Sequence, residues 1–235
     1  MSLSRPIPLP AAPLAVAALL AVAIAAFWVP YFSQLSAASR HVHLHVATMT
    51  AWMWLLIAQP LLMRYGYREA HRRLGKLAYA LMPLIVVSGL LLAHHRQSPP
   101  GQLDQPGMLP LLVLQFLSPM LMAGFFAMAL ANRRLPAVHA RWMLATTLLL
   151  IDPIVARILI FYVPAWADAG EWLGPSIAMA LTVWLIFVER HASGGRQVFP
   201  VVLGVLAIQQ ALYYTLGNSA IWRGFARWFV ELPLT

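Results

Sequence analysis

Three of the chain's eight histidines stand at alternate positions in "RHVHLHVATM", residues 40–49, at the edge of a long apolar run. On a helix of about 3.6 residues per turn, His41, His45 and Met49 share one face, while His43 points away. In an extended segment all three histidines would share a face instead. Two more, His94 and His95, close a later apolar run. A tight pairing of the two runs brings five imidazoles to one level. Such a set suits copper or zinc, and a thioether ligand from Met49 favours Cu(I). The competing role is ordinary: interfacial histidines also serve as amphipathic anchors. The chain has no cysteine, so disulfides and thiolate metal sites are excluded.

The elements that must carry these side chains are membrane helices. Of 235 residues, 61% are hydrophobic and 10% charged, with a mean hydropathy of +0.74, far from the roughly quarter-charged makeup of soluble domains. Runs of about 20 apolar residues cross a hydrocarbon core of about 30 Å. Seven such runs fall near 11–33, 41–63, 74–95, 108–131, 139–163, 172–189 and 198–217. The expected fold is all-α: one polytopic bundle over 1–235, with core hairpins in 40–163. The segment 219–232 reads as a helix lying in the interface, Ile221, Phe225 and Trp228 on one face and Arg223 and Arg227 elsewhere.

Charge sets the orientation. Arg5, Arg64, Arg68, Arg72, Arg73, Lys76, Arg133, Arg134, Arg141, Arg190 and Arg196 fall on one side of the expected bundle. Only Arg40, Arg96, Arg223 and Arg227 fall on the other, with Asp104, Asp168, Glu171 and Glu231. The positive-inside rule puts the N-terminus in the cytoplasm and the C-terminus outside. The net charge of +9 is thereby explained without nucleic acid, since the basic residues line short breaks rather than one soluble face. The first run is too long for a signal-peptide core and reads as a retained helix.

A short echo links two hairpins. "EAHRRLGKLAYAL" (69–81) opens the third run and "AVHARWMLATTLL" (137–149) the fifth, each with H-x-R after a basic loop. With "HVHLHVATMTAWMWLLIAQPLLMR", these segments resemble an uncharacterised family of bacterial multi-pass membrane proteins over residues 40–150. That family is distantly similar to maturation factors of haem-copper oxidases and, more loosely, to di-histidine cytochromes of the b type. The resemblance implies a bacterial inner-membrane location and respiratory-chain membrane proteins as partners beside the lipid bilayer.

His71 and His139 sit at the cytoplasmic ends of the two echoed segments, where arginine-rich loops ordinarily meet anionic headgroups. Repeat symmetry would alternatively make them axial ligands of haem b. Asp152 lies near the middle of the fifth run, and Arg157 about 7 Å further along. Charges at this depth are costly enough to suggest function. Asp152 could accept a ligand histidine's N–H, relay protons, or pair with Arg157 to lock the bundle. Gln59-Pro60 marks a kink with a local hydrogen bond.

The leading expectation is therefore an outer-face metal site formed by His41, His45, Met49, His94 and His95, copper preferred over zinc, in metal or haem handling or respiratory redox. A bis-histidine b-type electron carrier is the alternative, and a non-catalytic assembly component the second. No G-x-S-x-G, H-E-x-x-H or P-loop is present, so whether the chain is an enzyme stays open.

Overall fold

A computed structural model describes Leu9 and residues 11–235; Arg5, counted above for orientation, lies outside the described residues. The described chain is all helix and turn. The helices are α1 (Ala12–Ala26), α2 (Arg40–Arg64), α3 (Arg68–Gly75), α4 (Leu77–Gln97), α5 (Met108–Ala131), α6 (Pro136–Leu148), α7 (Ile151–Tyr162), α8 (Gly170–Val188), α9 (Val198–Thr215) and α10 (Ala220–Val230).

Six helical stretches are long and apolar enough to cross a membrane: Arg40–Arg64, Arg68–Gln97, Met108–Ala131, Pro136–Tyr162, Pro164–Val188 and Val198–Thr215. The first expected run, 11–33, gives only the 15 residues of α1. The chain then leaves the helix at Phe27 and enters a short 3-10 segment, Phe32–Ala37. Pro30 explains the early stop, because it lacks an N–H and disfavours a helical residue before it.

The spans pack side by side, mostly next to their neighbours in the chain. The pairs α1 with α2, α2 with α4, α4 with α5, α5 with α9, α9 with α8, α8 with α7 and α7 with α1 close a ring. The α6 helix sits inside it, against α5 and α9 and across from α2, where Trp52 Nε1 donates to Thr146 Oγ1 at 3.1 Å. Half of the most apolar window of Pro136–Tyr162 is buried, a larger share than in any other span. This span is two helices, interrupted at Leu149 and Leu150. The interruption follows from Pro153, which gives no N–H to the carbonyl four residues earlier.

Local signals place the helix ends. The Ser39 hydroxyl accepts from Val42 N–H, so α2 begins at Arg40 and all three histidines of "HVHLH" are already helical. The extended alternative is thereby removed. At the other end of α2, Gly66 adopts φ +82°, a left-handed turn that favours glycine. The α10 helix is capped by Ser219, whose hydroxyl accepts from Trp222 N–H at 3.1 Å.

The bound face of α10 differs from the expected one. Trp222, Phe225 and Phe229 pack around Phe116 of α5, with Phe116 and Phe229 ring centres 4.7 Å apart. Ile221 and Trp228 are exposed. Trp222 Nε1 donates to Leu109 O at 2.9 Å, so α10 is fastened to the bundle.

Candidate functional site

The ends of α2 and α4 do meet, and two of the expected five ligands meet with them. The His41 and His95 rings lie 4.7 Å apart between centres, tilted by 34°. His41 is 9% exposed, and its Nδ1 is buried without a hydrogen-bond partner. A buried polar nitrogen without a partner is uncommon and asks for a cause.

The other three residues face elsewhere. Neighbouring residues on a helix point about 100° apart, so His94 cannot join His95 against α2. It is 1% exposed, with Nδ1 2.7 Å from Thr235 Oγ1 and 3.1 Å from Ser98 Oγ, and the Phe229 ring meets it edge-on. His45 Nδ1 lies 3.3 Å from Ser88 Oγ, itself 3.1 Å from Thr48 Oγ1, so His45 belongs to a polar seam between α2 and α4. Met49 is partly buried against the apolar core. It shares the helix face of His41 but lies about 12 Å below it, beyond reach of one ion. Among the described residues no group of three or more His, Asp or Glu side chains is gathered as a metal cluster. His43 turns away, as its spacing predicts, and its Nδ1 is 2.9 Å from the Tyr31 hydroxyl.

At the arginine-rich end, the echoed histidines play matching parts. His71 Nδ1 lies 3.3 Å from Gln59 O, and His139 Nδ1 lies 2.8 Å from Ala129 O. Each imidazole thus reaches back across its basic loop to the preceding helix. The Gln59 side-chain oxygen, oriented to satisfy its neighbours, accepts from Gly75 N–H at 2.8 Å, a bond from α2 to α3 rather than the local one expected near Pro60. An apolar groove of about 520 Å³ runs between α2 and α4, lined by Trp54, Leu55, Leu77, Leu81 and Leu84. No histidine lines it.

One buried ion pair was invisible to sequence reasoning. Arg141, 4% exposed, donates Nε–H to Glu189 Oε2 at 2.7 Å and Nη1–H to Ala137 O at 2.8 Å. The only available signal was that Glu189 is one of two acidic residues beside so many arginines, the other being Glu69.

Asp152 and Arg157 do not pair. No ion pair within 4.0 Å joins them, and the Arg157 guanidinium stands over the Phe27 ring at 5.8 Å. Five residues separate the two, so they leave the helix on different faces. Asp152 faces α8 instead. A Cβ added to Gly174 would meet its Oδ1 at 2.5 Å and its Cα at 3.0 Å.

Fold and composition thus define an all-α bundle of the multi-pass membrane type. No protein-family model matches the chain, and neither a curated protein nor a solved structure matches it.

Proposed function

We propose that the chain is a seven-helix protein of the bacterial inner membrane, its arginine-rich end in the cytoplasm. Its outer end binds a metal ion, copper before zinc, in metal or haem handling or redox beside respiratory-chain proteins. The observation that carries this reading is the His41 and His95 pair with the unpartnered His41 Nδ1. An imidazole nitrogen lies about 2.0–2.1 Å from zinc, which puts the ring centre roughly 3 Å from the ion. Two rings on one tetrahedral ion then have centres roughly 5 Å apart. The separation of 4.7 Å fits that geometry.

The ligand set narrows accordingly. His41 and His95 hold the ion, and the remaining positions stay open to water or an incoming ligand, an arrangement suited to transfer or redox rather than to a closed structural site. His45 meets Ser88 through Nδ1 alone, whereas both ring nitrogens of His94 lie near Ser98 Oγ.

A second reading, the b-type haem on His71 and His139, draws support from His139. A ligating histidine usually donates its other ring N–H to a carbonyl or carboxylate, and His139 Nδ1 stands 2.8 Å from Ala129 O, whereas His71 Nδ1 accepts from the Gln59 amide. One preparation separates the two. Purified protein with stoichiometric copper or zinc and no Soret band supports the metal site; a sharp Soret band supports haem. Colourless, metal-free protein after reconstitution with metal and with haem overturns both.

A further inference from the structure

The α6–α7 interruption carries a separate site, which rests on the multi-pass membrane reading and not on the metal reading. We propose that Asp152 binds an exchangeable proton there, shared with Gln209 through one enclosed water.

A broken helix, a carboxyl and an unpartnered amide oxygen border one small cavity. Leu149 O has lost its helical donor to Pro153. Asp152 has no ion-pair partner among the described residues. Gln209 is 8% exposed and directs Nε2 to Ser118 Oγ at 2.9 Å, leaving Oε1 buried and unpartnered. Gln210, which also borders the site, directs its Nε2 to Glu171 O at 3.0 Å. Leu149, Asp152, Gln209 and Gln210 line one cavity of about 20 Å³, enough for a single water.

Leu148, Pro175, Ala178 and Leu206 form the rest of the wall, and an acceptor such as Gln209 Oε1 in such surroundings is stable only when something brings a hydrogen to it, because buried acceptors without donors are costly. A proton on Asp152 and a two-donor water supply it. A divalent cation demands about six oxygens, more than this chamber offers. Gly174 lets α8 close directly over the carboxyl, since a side chain there would strike it. Broken helices with freed carbonyls beside a carboxylate are the usual way membrane bundles hold protons or small cations.

The charged and titratable groups around the site come from every neighbouring element. Arg157 lies on the same helix, Glu171 on α8, Tyr213 on α9, and Arg96 of α4 lies beyond Arg157. The α1 helix contributes none. His139 and Arg141 of α6 are held at its far end by Ala129 and Glu189. On deprotonation the carboxyl proton passes to the enclosed water and leaves as hydronium, and the reverse step reloads Asp152.

The test is infrared spectroscopy of the full chain in lipid vesicles, titrated from mildly acid to mildly alkaline pH, with and without sodium. Wild type is expected to show a protonated-carboxyl band that disappears in Asp152→Asn, shifts in Gln209→Leu and ignores sodium. A band unchanged in Asp152→Asn, or one removed by sodium at constant pH, would overturn the proposal. Should Asp152→Asn not fold, the band shift in Gln209→Leu and in Asp152→Glu decides, and its absence in both counts against the site.

Discussion

His41 and His95 face each other 4.7 Å apart across the joined ends of α2 and α4, and the buried Nδ1 of His41 has no protein partner. His41→Ala or His95→Ala should each weaken copper or zinc binding by about tenfold or more, on the scale of disturbed metal sites. His43→Ala should leave it unchanged, since that ring belongs to Tyr31. Metal competition titrations measure all three. The joint change of His41 and His95 to Ala should abolish binding at this end, and full stoichiometry would reject the ligands. Binding should also weaken as pH falls, because a ligating imidazole must be unprotonated.

Thr235→Ala removes one hydroxyl from His94 Nδ1. The expected stability loss is about 0.5–1.5 kcal/mol, read by thermal unfolding in detergent. Ser98 and Phe229 still hold the ring, so metal affinity at the His41 and His95 pair should not change, and a rise would show that His94 can turn to join it.

Glu189→Ala leaves the Arg141 guanidinium buried and unpaired, a defect expected to cost about 3–5 kcal/mol. Glu69→Ala breaks the exposed Glu69–Arg73 pair, where about 0.3–0.5 kcal/mol is at stake. Unfolding midpoints of the two variants should differ accordingly, and equal midpoints would contradict the buried pair's role.

Gly174→Ala forces a methyl against the Asp152 carboxyl and backbone. Overpacking of this kind costs about 1–3 kcal/mol. Gly204→Ala is the control, because a Cβ there meets nothing within 4 Å and helical glycine is itself unfavourable by about 0.5–1 kcal/mol. The first should lower thermal stability and the second leave it unchanged or raise it.

Run length and apolarity made the helical bundle legible, because a bilayer demands about 20 apolar residues per crossing. The meeting of the α2 and α4 ends stayed open in the sequence, because a shared basic loop joins two runs at one end and does not fix their contact at the other. The rotation of α4 was not legible either. It decides between His94 and His95, and it depends on side-chain packing with α10, a segment distant in the chain. Periodicity put Met49 on the face of His41, but the rise of the same helix, about 1.5 Å per residue, already sets it about 12 Å away and excludes it. The interruption at Leu149 had a visible cause in Pro153, yet long apolar runs hide a break of two residues. Arg141 and Glu189 lie 48 residues apart, and no local pattern joins them.

The brevity of α1 gives the bundle an uneven apolar height. Its 15 residues rise about 22 Å at 1.5 Å each, against a hydrocarbon thickness of about 30 Å. Its end is tied to α7, where the Tyr162 hydroxyl donates to Ala25 O at 2.6 Å, so α1 cannot slide to make up the difference. On the seven-helix reading proposed above, lipid thins along that flank and headgroups come toward the level of Arg157 and Phe27. Acyl-chain length is then a variable of this protein: short-chain bilayers fit the α1 side, and long-chain ones strain it.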